Sequence, residues 1–405
     1  MSAKHTPLAG IRILDLSQGI AGPYAAGILA QQGAEVIKVE PPQGDWARLM
    51  GAGRDGMTAM SIACNLGKRS LCVDARHSDG AALLRRLARR VDVVLESFRP
   101  GVLAKLGLDE VSLRQENPGL IYTSITGFGE DGPYRDQPGA DSVIQALSGM
   151  MWMNRDRSGQ PQRVGMMLID VTTGCYTAQG ITAALLQRGS TGQGKHLSYS
   201  LLGVAGALQS ISILDQMLHT EHAPVPVTVP SGTFRTADGC INLTTLRDRM
   251  FHGLARALDR PEWIEHSNYR SNEDRIRHAD RLNAEIRELV QQRTTAEWVA
   301  RFSAEDVLCA PVLDYPAFLA HPQVRHAGLF TDIAQTPWGT LPVARLPDAE
   351  AASPESAPKL AQHTRDILVE AGLTHAQIDA LRHSGTVFEP DDLLNESTEK
   401  DLYHG

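Results

Sequence analysis

Ile11-Arg-Ile-Leu-Asp-Leu16, Gly22-Pro-Tyr-Ala-Ala-Gly-Ile-Leu-Ala-Gln-Gln32 and Ala34-Glu-Val-Ile-Lys-Val39 follow one another with only short connections between them. The first and third are apolar runs of strand length. The second is of helix length and carries Pro23 near its first turn, where a missing N–H is tolerated. Strand, helix and strand in this order make a βαβ unit, which requires the two strands to be parallel. The connection after the first strand reads Ser17-Gln-Gly-Ile-Ala-Gly-Pro23 and is not G-x-G-x-x-G, so a bound dinucleotide has little support.

The same rhythm continues outward. Arg69-Ser-Leu-Cys-Val-Asp74, a Leu/Ala/Arg helix from about 80 to 90, Val91-Asp-Val-Val-Leu95 and Leu120-Ile-Tyr-Thr-Ser-Ile125 extend a mostly parallel sheet. Gly127-Phe-Gly-Glu-Asp-Gly-Pro133 reads as a strand-end loop, where three glycines permit tight turns or close approach of a ligand. Lys195–Leu202 has strand character and is followed by an apolar helix to about Leu218, after which Pro224, Pro226 and Pro230 mark a stiff connection. Asp238–Thr244 is a short strand, residues 247–303 read as polar-faced helices, and 310–313 and 341–343 as later strands or connections. A linker at 351–358, terminal helices over 364–381 broken at Gly372 and a loose acidic tail after Pro390 complete the reading. This places a large domain on 1–224 with 331–405 and a smaller one on 225–330.

The chain has 405 residues, 42% hydrophobic and 21% charged, enough for a substantial core. A net charge of −8 with thinly spread Lys and Arg offers no field for a phosphate polymer, so no nucleic-acid partner is expected. Cys64, Cys72, Cys175, Cys240 and Cys309 are odd in number and lack a CxxC pair, which argues for a reducing compartment and against a metal knuckle. The polar start, Met1-Ser-Ala-Lys-His-Thr-Pro7, carries no secretory run, and no membrane span is expected. A cytoplasmic protein is expected from these features.

Asp170 is the residue that decides function. It ends the apolar run Val164-Gly-Met-Met-Leu-Ile169, read as a core strand, and precedes Val171-Thr-Thr-Gly174, where a helix is expected from about 174 to 186. A carboxylate there is either a helix N-cap, with Thr173 nearby, or a nucleophile.

The ordered matches are more specific than any of these motifs. Pro7–Leu16, Ala21-Gly-Pro23, Gly33–Glu40, Gly44-Asp45 with Arg48, Asn65–Ser70, Phe98-Arg-Pro-Gly101, Gly107-Leu108, Gly127-Phe-Gly129, Gly132-Pro-Tyr134, Gln145–Gly149 and Gly192-Gln-Gly194 together resemble the class III CoA-transferases, the CaiB/BaiF type. The resemblance implies an α/β enzyme with a Rossmann-like large domain, a smaller α+β domain and an interlocked homodimer. Its substrates would be a coenzyme A thioester and small carboxylic acids, with no tightly bound cofactor and no metal. Asp170 matches the family nucleophile, which would form an aspartyl-acyl anhydride and then an aspartyl-CoA thioester. Arg48, Lys68, Arg69 and Arg99 are the expected cations for the CoA phosphates and Phe98 the neighbour of adenine. Gly127, Gly129 and Gly132 would give the thioester close backbone access and oxyanion donors.

Three rivals remain. A 2-methylacyl-CoA racemase would need a histidine where Gly139-Ala140-Asp141 has Ala140, with His196 or His363 as substitutes. A noncatalytic CoA-binding subunit would keep the fold alone, and a cysteine hydrolase would pair Cys175 with His196. A succinyl or other dicarboxylic donor would need a cation for its distal carboxylate, for which Arg247 and Arg249 are candidates; a helix-surface role fits them as well.

Overall fold

The βαβ opening folds as its pattern requires, with β1 (Arg12–Asp15) and β2 (Glu35–Glu40) parallel and α1 (Ala21–Gln31) crossing between them. A computed structural model describes residues 6–156, 158–218, 226–347 and 354–394. Pro224, residues 351–353 of the expected linker and the tail beyond Leu394 lie outside these. The described residues up to Ser210, with those from Gly328 onward, form one unit, and Ile211–Ala327 the other.

In the larger unit a hairpin of β3 (Gly53–Arg54) and β4 (Met57–Thr58) leads to α2 (Ala59–Asn65), β5 (Arg69–Val73), α3 (Ser78–Ala88) and β6 (Val93–Glu96). Then follow α4 (Glu110–Glu116), β7 (Ile121–Thr126), α5 (Asp141–Leu147), α6 (Met150–Met153), α7 (Leu168–Thr191), β8 (His196–Ser200) and α8 (Leu201–Leu208). The smaller unit holds α9 (Ser210–Leu218), which starts at the boundary, and an antiparallel sheet of β9 (Ser231–Arg235), β10 (Cys240–Thr244) and β11 (Leu308–Pro311). Its helices α10 (Asp248–Ala257), α11 (Asn272–Arg277), α12 (Ala279–Val290) and α13 (Thr295–Ala304) close a core around Phe251, Leu254, Ile286, Trp298 and Phe302. Two short helices, α14 (Tyr315–Ala320) and α15 (Pro322–His326), end it. The chain returns to the larger unit through the hairpin β12 (Phe330–Gln335) and β13 (Gly339–Ala344), then α16 (Thr364–Glu370), α17 (His375–His383), β14 (Val387–Phe388) and α18 (Pro390–Leu394).

The main sheet runs β14-β5-β2-β1-β6-β7-β8, parallel except for β14, so it is mixed. Apolar residues on both faces explain why its strands read as unbroken hydrophobic runs. Leu83, Leu84, Leu87, Ile367, Leu368 and Ile378 cover one face. Leu29, Ile144, Ile169, Ile181 and Leu201 cover the other.

Three local expectations are corrected. Residues 164–167 are not a core strand: Met166 and Met167 are exposed, and α7 already begins at Leu168, so Asp170 lies in its first turn. The helix also continues past Leu186 to Thr191, because its stop signal is Gly192 at φ 68° rather than the earlier polar residues. The apolar run to Leu218 is two helices, α8 and α9, broken at Gln209. Among the described residues no single helix is long and apolar enough to cross a membrane.

α7 lies against α1 so closely that a Cβ on Gly174 would stand 2.9 Å from both the Ala21 carbonyl oxygen and Tyr24 Cδ1. Backbone oxygen cannot yield as a side chain can. Gly174→Ala is expected to cost about 1–3 kcal/mol as the helices part, read as a lowered urea midpoint; an unchanged midpoint would show that the helices do not meet here.

Candidate active site

In the strand order, β2 and β5 succeed β1 on one side and β6, β7 and β8 on the other, so connections leave in opposite directions at β1 and β6. That is the switch point at which open parallel sheets leave a crevice at their carboxyl ends. The loops after these two strands are tied across it: the Gln18 N–H donates to Ser97 Oγ at 2.9 Å.

Two cavities adjoin there. One, of about 250 Å³, is mostly apolar and lies at the ends of β1, β2, β5 and β6, lined among others by Leu16, Val39, Pro41, Val73, Val102 and Leu106, with Arg76 at its edge. The other, of about 330 Å³, is lined by Trp46, Arg99, Thr126, Gly127, Arg135 and Asp170, among others. Gln18 and Phe98 belong to both. Ala21, Ala140, Asp170 and Leu201 stand at or just before the first turns of α1, α5, α7 and α8, so four helix N-termini reach the second cavity. Their dipoles favour negative charge in it.

Asp170 is held from behind by Asp141, whose buried carboxylate accepts from the N–H groups of Ile169 (2.7 Å) and Asp170 (3.0 Å) through Oδ2. Its Oδ1 accepts from Gln145 Nε2 at 2.6 Å. The helix-cap role is therefore filled by Asp141 from another element, which leaves the Asp170 carboxylate free for chemistry. Burial, and after it the charge of Asp141, push Asp170 up to about 7. The cap was not read from the sequence. Asp141 was noted only as the residue beside the missing histidine, and a 29-residue separation carries no local signal.

The β1 loop is fixed by buried ion pairs. Lys68 meets Asp15 at 2.8 Å and the Pro23 carbonyl at 2.7 Å, Lys38 meets Asp45 at 2.9 Å and also donates to the Ser17 carbonyl, and Arg48 grips Glu40 at 2.6 and 2.8 Å. Asp45 in turn accepts from Gly19 N–H. Burial opposes the charge on Asp15, but Lys68 and Lys38 hold it below the usual carboxylate range.

This corrects the expected phosphate surface. Arg48 and Lys68 are buried with their donors given to Glu40, Asp15 and carbonyls, because burying either cation demands a partner. Arg69 bridges Glu35 and Glu370. None of the three lines the Asp170 cavity, whereas Phe98 and Arg99 do. Of the three glycines only Gly127 lines it. Gly129 gives its N–H to Thr126 Oγ1 at 2.9 Å, and Gly132 is an exposed turn residue at φ 80°.

The rival bases do not reach the cavity wall. His196 sits by Ser124 (3.1 Å) and Glu130 (3.6 Å), and His363 accepts from Ser70 N–H at 3.1 Å. Cys175 is exposed on α7, partial burial pushes its thiol up, and among the described residues His196 meets Ser124, Glu130 and Tyr122 rather than Cys175. Arg247 and Arg249 lie exposed at the start of α10 in the smaller unit. Among the described residues no cluster of His, Cys, Asp and Glu could hold a metal ion.

Residues 8–364 match the sequence profile of CoA-transferase family III. The chain is 34% identical to succinate–glutarate CoA-transferase of Agrobacterium fabrum over 393 residues, 91% of this chain and 97% of that one. It is 32% identical to succinyl-CoA:glutarate CoA-transferase of Homo sapiens over 380 residues, 90% and 86% of the two chains. The crystal structure of a CAIB/BAIF family protein from Brucella suis superposes with a TM-score of 0.82 at 32% identity, covering 90% of this chain and 99% of that one.

Proposed function

The chain belongs to CoA-transferase family III and is an enzyme of that class, and from that premise we propose that it moves coenzyme A from a dicarboxylic acyl-CoA of the succinyl type to a second dicarboxylic acid of the glutarate type, through covalent intermediates on Asp170. The observation that carries this reading is Asp170 itself: a partly buried carboxylate, relieved of capping by Asp141, in a cavity where helix N-termini converge. The acyl identities rest on the names of the two relatives, both of which act between succinyl and glutaryl groups by those names.

CoA fits across the two adjoining cavities. Its adenosine end matches the apolar one at the switch point, with Phe98 beside it, and its thioester end reaches Asp170 past Gln18. Arg99, at the junction, suits the intervening phosphates.

The Asp170 carboxylate attacks the thioester carbonyl; the C–S bond breaks and CoA leaves as thiolate, giving a mixed anhydride. The thiolate attacks the aspartyl carbonyl of that anhydride, forming an aspartyl-CoA thioester and releasing the donor acid as carboxylate. The acceptor carboxylate then attacks the aspartyl thioester, releasing thiolate and forming a second anhydride. Thiolate attack on the acceptor's carbonyl yields the new acyl-CoA and restores Asp170. Each step trades one anion for another, so no general acid is needed and exclusion of water protects the activated intermediates. The helix N-termini stabilise each oxyanion.

Exposed apolar side chains on α7 to α9, among them Leu186, Ile211, Leu214, Met217 and Leu218, support assembly as a homodimer. Among the described residues no second base lines the cavity, which favours transfer over α-proton exchange.

Mass spectrometry after incubation with succinyl-CoA tests the reading. The expected result is a hydroxylamine-sensitive adduct on the peptide containing Asp170. Turnover with α-proton exchange and no adduct would move the assignment to a racemase.

A further inference from the structure

We propose that Arg135 is the specificity-determining cation that pairs with the distal carboxylate of a dicarboxylic acyl group carried on Asp170, an assignment that rests on the transfer reading above. Arg99, Arg135 and Asp170 are the charged side chains that line the reaction cavity. Most arginines near the main sheet already have carboxylate or carbonyl partners, as Arg48, Arg69, Arg114 and Arg188 do. Arg99 and Arg135 are exposed, and among the described residues neither forms an ion pair or a side-chain hydrogen bond. Both also border a second cavity that holds Glu96, Glu110 and Glu130, yet neither is paired with them.

The two arginines come from different segments of the chain. Arg99 follows Phe98, the residue shared with the nucleotide cavity, and so stands where the CoA arm arrives. Arg135 belongs to the stretch with Gln137, Pro138, Gly139 and Ala140, the segment that runs into Asp141 and hence to the support of Asp170. That segment has a fixed neck: a Cβ on Gly127 would stand 2.8 Å from Gly139 Cα, so the backbones touch there. Inside the loop the Arg135 N–H donates to the Gly132 carbonyl at 3.3 Å, and Phe128 meets Tyr134 edge to face at 5.3 Å. The guanidinium is therefore presented from an anchored loop that leads into the support of Asp170.

Chemistry supplies the ligand. Once Asp170 is acylated its own charge is gone, while a dicarboxylic acyl group keeps one carboxylate at its far end, whose planar geometry matches the guanidinium fork. A monocarboxylic acyl group of equal length would set an apolar end beside that cation and gain no ion pair, so the same residue favours the dicarboxylic group.

The test compares succinyl-CoA with butyryl-CoA, four carbons each, as donors in single-turnover labelling of Asp170 by the full chain and by its Arg135→Gln and Arg135→Lys variants. The expected result is a fall of about 10- to 100-fold in labelling efficiency with succinyl-CoA for Arg135→Gln, the scale of losing one charge-assisted contact, with butyryl-CoA unchanged or improved and Arg135→Lys intermediate. An equal fall for both donors would place Arg135 on the CoA arm or in the fold and overturn the assignment, as would no change for either. Labelling of the unaltered chain by butyryl-CoA alone would overturn it and leave the transfer reading standing. Inertness of the unaltered chain to both donors would strike that reading, and this assignment with it.

Discussion

Replacing Asp170 by asparagine is expected to lower CoA transfer by about 10⁴-fold or more, the scale on which losing a covalent nucleophile leaves only binding and oxyanion stabilisation, while the fold is kept. An amide cannot form the anhydride, so the hydroxylamine-sensitive adduct should vanish as well. The fold should survive because the backbone N–H of residue 170, not its side chain, is bound by Asp141. Under the proposed covalent mechanism the carboxylate is the reactive form. With Asp170 pushed up to about 7, labelling should fall about tenfold per pH unit below 7 and level off above it. Linkage gives an independent check. Between the unfolded value near 3.8 and about 7 the folded chain binds the extra proton, so stability declines as pH rises through that window. Asp170→Asn should therefore gain Tm over the parent at pH 8 and gain little at pH 4. Full activity in the variant would remove Asp170 from the reaction, and a pH-independent Tm difference would show that the carboxyl is not perturbed.

Much of the large unit was legible because its strands are covered on both faces. Runs such as Val93–Glu96 and Ile121–Thr126 are buried throughout, so composition alone marks them. The Val164–Ile169 run shows where that logic fails. An apolar stretch is also what a helix entry with exposed methionines looks like, and only tertiary contacts distinguish the two. β12 passed unread because Phe330-Thr-Asp-Ile-Ala-Gln335 alternates weakly and gains its pairing from β13.

The site divides along the same line. Phe98, Arg99 and Gly127 stand in ordered motifs and Asp170 matches the family nucleophile, and the structure places all four on one cavity. Arg48 and Lys68 belong to equally clear motifs, yet their charges neutralise Glu40 and Asp15 inside the fold. Sequence shows that a cation is present and not which carboxylate it meets. Asp141 and Arg135 carry no such mark for the converse reason: the roles proposed for them depend on what they stand near across 29 and 35 residues of chain, as Asp141 binds the Asp170 N–H and Arg135 shares its cavity.

Asp141 gives the second large effect. Its single carboxylate joins α5 to α7, taking both N–H donors of residues 169 and 170 on one oxygen and Gln145 on the other, while Gln145 Oε1 accepts from the Val164 N–H at 2.9 Å. Asp141→Ala strands the two helix donors, each worth about 1–3 kcal/mol when left unsatisfied, and lets the first turn of α7 drift. A displacement near 1 Å at the nucleophile costs about 10²-fold, so transfer should drop by about 10²- to 10³-fold with some loss of stability. Asp141→Asn separates position from charge. Its amide oxygen still accepts from the helix, so transfer near neutral pH should stay within about tenfold of the parent, but the anion beside Asp170 is gone and the acid limb should move below 7. A limb that stays at 7 in Asp141→Asn would assign the shift to burial alone, which is already its larger cause. Undiminished transfer in Asp141→Ala would mean that the first turn of α7 holds its own place, and that the carboxylate behind Asp170 orients nothing.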